Sequence, residues 1–190
     1  MAPFNHFDFL STFYDRFIKP SDTSRFSVLA GLPTNGLLLD AGGGTGRKSF
    51  PLLPMVKGII IADSSMGMLS QASKKGGLIT ICCETEQLPF ENDSFERVIM
   101  VDALHHVEDY RSTVKELWRL VKPGGRILIE EPDIRSRSVK IIALIEKLTL
   151  MRSHFIPPQE IADSFRYPNS TVDIEINASN AWIVIHKLDH

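Results

Sequence analysis

Short apolar runs alternate with amphipathic segments along most of this chain, and this alternation constrains the fold more than any other feature. The runs predict strands, which in chain order are Gly36–Asp40, Ile59–Ala62, Leu78–Cys82, Arg97–Val101 and Arg126–Glu130. Helices are predicted behind Ser64 or Ser65 and over residues 109–121. Strands that alternate with helices form a parallel sheet with right-handed crossovers and helices on both faces.

The end of the chain departs from this alternation. Helices are predicted at about 138–152 and 158–165, and two further strands at Val172–Ile176 and Trp182–His186. Only Asn177–Ala181 separates these two strands, which is too short for a parallel crossover. We therefore expect an α/β fold, with a doubly wound seven-stranded sheet that is mostly parallel and has an antiparallel C-terminal hairpin strand.

Composition narrows the functional class. A chain of 190 residues with 43% hydrophobic and 23% charged residues is typical of one globular domain. Its 21 basic and 23 acidic residues argue against a domain built mainly to grip nucleic acid, and Cys82 and Cys83 are too few for a structural zinc site. No window of about 18 residues is apolar, so we expect no membrane span. The stretch Met1–Phe17 lacks a basic region ahead of an apolar run, which predicts a cytoplasmic protein without a secretory signal.

A glycine cluster directly follows the first predicted strand. Such a loop between a strand and a helix lets a ligand approach the backbone and aims amide groups at it. Counting from Gly42, Arg47 occupies the position that a phosphate-binding P-loop and a dinucleotide fingerprint both require to be small. What remains is an acid followed by alternating glycines, Asp40-x-Gly42-x-Gly44-x-Gly46.

A second acid, Asp63, ends the second predicted strand. Ligands of open α/β sheets bind beyond the carboxyl ends of the strands, and an acid there can accept hydrogen bonds from both ribose hydroxyls. The alternative is that Asp63 caps the following helix, and the two roles can coexist.

The glycine pattern resembles the first motif of class I S-adenosylmethionine-dependent methyltransferases. Further stretches are similar to motifs of that family in order and spacing: Asp63–Leu69, Cys83–Ile99, Val101–Val107 and Leu120–Ile129. The set looks most like the small-molecule branch that includes ubiquinone and menaquinone C-methyltransferases, and Phe13-Tyr14-Asp15 is similar to a tyrosine–aspartate pair in that branch. One departure is Pro51 and Pro54, which should break the helix after the glycine loop early.

The resemblance implies a Rossmann-like sheet, S-adenosyl-L-methionine as cofactor and S-adenosyl-L-homocysteine as product. It implies that the loop wraps the methionine portion, that Asp40 helps hold the amino group, and that Met66 or Met68 packs on the adenine. Glu84 is expected to accept from the adenine amino group, although the family mostly has Asp there and at Glu96. The predicted cofactor-binding residues are Asp40, Ala41, Gly42, Gly44, Gly46, Asp63, Ser64, Met68, Glu84, Thr85, Asp102 and Leu104.

The sequence indicates the acceptor site less clearly than the cofactor site. A general base is needed only if the nucleophile must lose a proton, so no particular catalytic residue is required. We predict His105, His106 and Tyr14 as catalytic candidates, while structural roles for these residues stay open. Carboxylates beyond the fifth strand are further candidate bases, or else solvated loop acids: Glu130, Glu131 and Asp133. The apolar lid segments favour a small, apolar or aromatic acceptor.

We expect a single methyltransferase domain over 1–190. Its predicted parts are N-terminal lid helices (1–35), a cofactor-binding half (36–131), a helical insertion that covers the substrate (132–171) and a C-terminal β hairpin (172–190). The expected partner is a small-molecule methyl acceptor, nucleic acid is disfavoured, and the chain is a monomer or homodimer. The alternatives are a methyltransferase for RNA or protein and a non-catalytic S-adenosylmethionine-binding regulatory protein, with a dehydrogenase disfavoured by Arg47.

Overall fold

The computed structural model describes residues 23–133, 154–177 and 180–189, and they form a seven-stranded sheet. Its spatial order is β3-β2-β1-β4-β5-β7-β6. The strands are β1 (Leu37–Ala41), β2 (Gly58–Asp63), β3 (Leu78–Cys82), β4 (Phe95–Val101), β5 (Val121–Pro132), β6 (Ser170–Asn177) and β7 (Asn180–Lys187). The predicted strands are thereby confirmed, and β3 has the predicted bounds.

Strand direction also agrees with the prediction. The pairs β3–β2, β2–β1, β1–β4 and β4–β5 are parallel, whereas β7 is antiparallel to both β5 and β6. The short connection between β6 and β7 permits only a hairpin, so β7 reverses direction and β6 again runs with the parallel strands. The sheet is therefore the mostly parallel, doubly wound type that the sequence predicts.

Helices cover the sheet, and two of them, α2 and α3, begin at residues whose side chains cap the helix. They are α1 (Thr23–Leu29), α2 (Met66–Lys74), α3 (Tyr110–Leu120) and α4 (Pro158–Asp163), with 3-10 helices at Phe50–Met55 and Leu104–His106. The Ser65 side chain accepts from Met68 N at the start of α2, and Asp109 accepts from Arg111 N at the start of α3. The predicted helix at 138–152, the helix before Pro20 and Tyr14 lie outside the described residues.

The segment after the glycine loop is short and irregular, as the two prolines predict. Residues Phe50–Met55 form a 3-10 helix, with Pro51 in its first turn and Pro54 inside it. A proline nitrogen donates no hydrogen bond and its ring crowds the preceding turn, so an α-helix cannot continue here.

The core lies on both faces of the sheet. Leu38 and Leu39 are fully buried and belong to different apolar clusters. Consecutive residues of a strand point to opposite faces of the sheet, so both faces are covered here. Leu39 packs in the cluster that includes α3 residues such as Leu117, while Leu38 packs with Phe26 of α1 and Leu69 of α2. Burial on two faces holds the parallel strands in register, so their carboxyl ends share one edge.

The beginning of β5 differs from the sequence prediction, in which this strand starts at Arg126. Strand β5 starts at Val121, and its pairing with β4 is irregular, because Phe95 pairs with Val121 and Arg97 pairs with Arg126. Gly124 has a φ of 72°, a left-handed conformation that glycine adopts without strain. The glycines thus form a bulge inside the strand, which periodicity alone does not distinguish from a turn.

Glu96 fastens this region to β1, which accounts for the longer side chain where the resembling family mostly has Asp. Its carboxylate accepts from Leu37 N at 2.7 Å and from Lys122 Nζ at 2.6 Å. The side chain fits because Gly36 has none: a Cβ on Gly36 would lie 2.0 Å from the Glu96 Cδ.

We predict that Gly36→Ala lowers the free energy of unfolding by about 1–3 kcal/mol, because the Glu96 carboxylate must leave Leu37 N. In a Glu96→Asp background the same substitution should cost less, because the shorter side chain leaves room for the new methyl group. Urea denaturation of the two single variants and the double variant measures the coupling between the positions. Additive effects would show that the two residues do not compete for this space.

Candidate functional site

A cavity of about 1140 Å³ lies at the carboxyl ends of β1, β2, β3 and β4. The segments that follow these strands form its wall. Nine residues predicted to bind cofactor line it: Asp40, Gly42, Gly44, Asp63, Ser64, Met68, Glu84, Thr85 and Asp102. The sequence motifs are therefore brought together at the one edge of the sheet where they were expected.

Three predicted positions do not lie on the cavity wall. Ala41 and Leu104 are buried in the apolar core, with 0% and 1% exposure. Gly46 is packed against other side chains, since a Cβ there would lie 2.6 Å from Ile61 Cδ1 and 2.8 Å from Leu78 Cδ1. None of these three residues lines the cavity, and their part in cofactor binding stays a prediction.

The glycine loop has its shape because alternate residues adopt a left-handed backbone. The φ angles are 68° at Gly42, 54° at Gly44 and 70° at Gly46, which favour glycine over other residues. A Cβ on Gly42 would lie 2.6 Å from the Ala103 Cβ, whereas one on Gly44 would have no neighbour closer than 3.9 Å. The loop therefore packs closely at Gly42 and leaves backbone open at Gly44, where it lines the cavity.

Asp63 fastens the loop to the end of β2. Its Oδ2 accepts from Gly44 N at 2.8 Å, and its Oδ1 accepts from Ser65 N at 2.8 Å. The cap of α2 is the Ser65 hydroxyl, which accepts from Met68 N at 3.2 Å. Asp63 is therefore not the helix cap; it holds the loop and faces the cavity.

Asp40 is a buried acid at the start of the loop. Its side chain is 1% exposed, and its Oδ2 has no hydrogen-bond partner in the described part of the chain. The pKa of this carboxyl is raised to about 7, chiefly by burial and in part by the negative charge of Asp63, while the Ser49 hydroxyl and the charges of Lys48 and Arg47 act in the opposite direction. An unsatisfied buried oxygen beside a cavity is suited to a ligand that brings a hydrogen-bond donor.

Acidic residues surround another part of the cavity. Glu84, Glu86, Glu108 and Asp109 line it, and we call these four residues the acidic rim. The Glu86 carboxylate accepts from Glu108 N at 2.9 Å and from Asp109 N at 3.2 Å, which ties the loop after β3 to the start of α3. Burial raises the pKa of Glu84, and the negative charges of Glu86, Asp63 and Glu108 add to this shift.

Asp102 lies at the end of β4 in a left-handed conformation, with a φ of 52°. This conformation is uncommon outside glycine, and such residues concentrate at functional sites. Burial raises the pKa of its carboxyl to about 6, with further contributions from the charges of Glu130 and Glu131. The Asp102 N–H donates to the Glu130 carbonyl at 2.9 Å, which holds the residue at the cavity wall.

The two predicted catalytic histidines lie in different places. His105 is 4% exposed and does not line the cavity; its Nδ1 lies 2.5 Å from Glu131 Oε2, and its ring stacks on Phe155 with centroids 4.7 Å apart. The other Glu131 oxygen accepts from Ala103 N at 3.0 Å and from Leu104 N at 2.7 Å. The geometry thus argues against direct contact between His105 and a ligand and favours a supporting role.

His106, by contrast, lines the cavity. The pKa of its imidazole is lowered to about 3, chiefly by burial and in part by the neighbouring His105. The ring is therefore neutral near pH 7, when it can accept or donate a hydrogen bond but carries no charge.

The three acids at the end of β5 are buried, so the alternative that they are solvated loop acids is wrong. Glu130, Glu131 and Asp133 are 1%, 3% and 4% exposed. Glu130 accepts from Lys48 Nζ and from Asn180 Nδ2, both at 3.0 Å. The buried charge of Glu130 is thus paired.

Sequence reasoning missed several cavity residues. Arg47 and Lys48 line the cavity and directly follow the glycine pattern, so their position was a usable signal. His154 also lines it, because its N–H donates to the His105 carbonyl at 2.7 Å, and no sequence pattern indicates that contact. Within the described ranges, no cluster of His, Cys, Asp and Glu could hold a metal ion, and no helix could cross a bilayer.

Comparison with known proteins identifies the family of the central region. Residues 39–129 match the family model of the methyltransferase domain. A ubiquinone/menaquinone biosynthesis C-methyltransferase of Desulfotalea psychrophila is 36% identical over 112 residues, which cover 54% of this chain and 44% of that protein. A demethylmenaquinone methyltransferase of Streptomyces avermitilis is 33% identical over 95 residues, which cover 50% of this chain and 41% of that protein. The match thus spans less than half the length of these two relatives.

Solved structures share the whole fold. A chain from the complex between the Haloferax volcanii Trm112 methyltransferase activator and a methyltransferase superposes with a TM-score of 0.82 at 16% identity, covering 98% of this chain and 100% of that one. A Thermotoga maritima methyltransferase, described as a possible histamine N-methyltransferase, has a TM-score of 0.76 at 23% identity and covers 95% and 98%. At these identities the likeness concerns the fold alone.

Taken together, the family match, the glycine loop and the sheet topology show that residues 39–129 are similar to a class I S-adenosylmethionine-dependent methyltransferase domain. Family and fold imply S-adenosylmethionine as the cofactor. The residues present fit this group, because Asp40 offers an unsatisfied buried oxygen for an ammonium and Gly44 leaves space against the loop backbone.

The buried Asp40 should make the protein less stable at high pH. Its pKa is raised in the folded chain, so folding favours the protonated form, and the cost of ionisation grows as the pH rises from about 4 to 7. We predict that Asp40→Asn raises the free energy of unfolding by roughly 1–4 kcal/mol at pH 8, with the gain shrinking towards pH 4. Urea denaturation across this range measures the effect.

The matched control is Asp173→Asn on the exposed face of β6, which should change stability little at any pH. A loss of stability in Asp40→Asn at pH 8 would contradict the assignment of Asp40 as a buried, uncompensated acid.

Proposed function

We propose that this chain is a S-adenosylmethionine-dependent methyltransferase that acts on a small, apolar or aromatic acceptor. The observation that carries the proposal is the sequence of groups along one cavity: an unsatisfied buried carboxyl at Asp40, open loop backbone at Gly44 and the Asp63 carboxylate. These groups suit, in order, the ammonium, the sulfonium-bearing chain and the ribose of the cofactor.

The remaining contacts follow from the loops after β2 and β3. We assign the ribose hydroxyls to Asp63 and the adenine to the pocket formed by Ser64, Met68 and the segment Glu84–Thr85. Thr85 is held by a 3.2 Å contact between its hydroxyl and that of Thr113, so its backbone is fixed against α3. Asp102 then borders the end of the cofactor at which transfer occurs.

The bound cofactor supplies a methyl group that is already activated by a sulfonium charge. What the chain must do is hold the acceptor in line with that group and exclude water, and such positioning can supply roughly 7–11 kcal/mol of the barrier. The cavity volume of about 1140 Å³ exceeds the roughly 300–1,000 Å³ typical of single small-molecule sites, which leaves room for an acceptor beside the cofactor.

His106 is our candidate for holding the acceptor. Its low pKa makes it a poor proton reservoir near pH 7, so its role is to accept a hydrogen bond from an acceptor O–H or N–H and orient the nucleophile. His105, fixed by Glu131, positions the His106 backbone from behind. The proposed contribution of Tyr14 and of the lid segments 1–35 and 132–171 stays a prediction.

The acidic rim supports a small acceptor over nucleic acid. Its carboxylates repel phosphate groups, and a nucleic-acid substrate needs basic residues at the mouth of the site. The named relatives are methyltransferases of quinone biosynthesis, so aromatic quinol precursors belong first in an acceptor panel.

The experiment that tests this function has two stages. Calorimetric titration should show binding of S-adenosylhomocysteine and no binding of NADH, because the glycine loop lacks a dinucleotide pattern. Incubation with methyl-labelled S-adenosylmethionine and a panel of small aromatic acceptors should then give a labelled product. Binding without turnover on any small acceptor would favour a regulatory protein, and transfer to RNA or protein alone would overturn the acceptor class.

We also predict that S-adenosylhomocysteine binds more weakly as the pH falls from 8 to 6. The Asp40 pKa of about 7 means that the carboxylate, which attracts the ammonium, becomes protonated over this range. Affinity should drop about tenfold in the wild type and stay nearly level in Asp40→Asn. An equal pH dependence in both proteins would exclude Asp40 as the ammonium partner.

His106→Phe should lower kcat for an acceptor with an ionisable O–H by on the order of 100-fold, because the orienting hydrogen bond is lost. Its affinity for S-adenosylhomocysteine should be nearly unchanged. The control His186→Phe, on β7 outside the cavity wall, should leave kcat close to the wild-type value. Unaltered turnover in His106→Phe would remove this residue from the acceptor site.

A further inference from the structure

We propose that Arg47 binds the α-carboxylate of S-adenosylmethionine and thereby selects ligands that carry an intact amino-acid end. This inference rests on the proposed function and adds a residue to it. In the sequence, Arg47 is notable because it departs from the P-loop and dinucleotide-binding patterns. The cofactor contacts proposed above leave the carboxylate of the cofactor without a partner.

The position of Arg47 suits this role. It follows Gly46 directly, lines the cavity and is half-buried. Its Nε is buried and has no hydrogen-bond partner in the described part of the chain. An unsatisfied buried donor is destabilising, so a carboxylate ligand that accepts a hydrogen bond from the guanidinium is favoured at this point.

Charge complementarity supports the same assignment. The amino-acid end of the cofactor carries an ammonium and a carboxylate on adjacent atoms. Asp40, whose buried Oδ2 is unsatisfied in the described part of the chain, and Arg47 lie at the two ends of the glycine loop and both line the cavity. A carboxyl and a guanidinium at the two ends of one loop match a zwitterion in one orientation.

The rest of the cavity would repel a carboxylate. Most of its charged wall is negative, including Asp63, Asp102 and the acidic rim. Among the described residues that line it, Arg47 and Lys48 are the Lys or Arg side chains.

Lys48 is the competing cation, and its charge is already used. Its Nζ lies 3.0 Å from Glu130 Oε2 and 5.5 Å from the centre of the Phe26 ring. Removing it would leave the buried Glu130 carboxylate without its cation, which is a structural defect rather than a specific loss of ligand binding. The planar guanidinium of Arg47 can in addition hold both oxygens of a carboxylate.

The test compares two ligands that differ only in the carboxylate: S-adenosylhomocysteine and its decarboxylated analogue, S-adenosyl-3-thiopropylamine. Calorimetry measures both affinities for the wild type, Arg47→Gln, Arg47→Lys and Lys48→Gln. We expect Arg47→Gln to weaken S-adenosylhomocysteine by about 10- to 100-fold and the analogue by less than about threefold. Arg47→Lys should retain part of the preference for the ligand with a carboxylate, because lysine keeps the positive charge but lacks the paired N–H donors of a guanidinium.

Three results would overturn the assignment. Equal weakening of both ligands in Arg47→Gln means that Arg47 shapes the loop but does not bind the carboxylate. A carboxylate-selective loss in Lys48→Gln, with Arg47→Gln unaffected, assigns the role to Lys48. Failure of the wild type to bind either ligand rejects the proposed function itself. This outcome differs from a failure of the Arg47 assignment, because it is seen in the wild type without any variant.

Discussion

The hydrogen bond from Gly44 N to Asp63 Oδ2 is the interaction on which the geometry of the site depends. It joins the loop after β1 to the end of β2, and both ends are fixed because the parallel strands are buried on both faces. The left-handed glycines allow the loop to reach that carboxylate, and the Asp63 carboxylate in turn holds Ser65 at the start of α2. The cavity is therefore set by backbone geometry before any ligand arrives.

Buried charge is the second feature of this edge, and it opposes stability. Asp40 and Asp102 have raised pKa values chiefly because burial disfavours their charged forms, while Glu130 and Glu131 are paired with Lys48 and His105. A core built for stability alone would replace Asp40 and Asp102 with apolar side chains. At the wall of the cavity, such acids are suited to attract a positively charged ligand.

Local patterns predicted most of the fold and the frame of the site. Apolar runs located the strands, the short link between β6 and β7 required a hairpin, and Pro51 and Pro54 predicted the shortened helix. The rest depends on contacts that are distant in sequence. Whether His105 or His106 faces the cavity depends on Glu131, and the Glu96 side chain fits only because Gly36 is close to it. The use of Lys48 by Glu130, which leaves Arg47 for a ligand, is visible only once β5 lies beside the loop.

A crystal structure of the protein grown with S-adenosylhomocysteine tests the central claim most directly. We predict the nucleoside in the cavity at the carboxyl ends of β1 and β2, with its ammonium within about 3 Å of an Asp40 oxygen and its ribose hydroxyls at Asp63. A cavity closed by protein side chains, or a ligand bound elsewhere with Asp40 unsatisfied, would contradict the account while leaving the sheet topology unchanged.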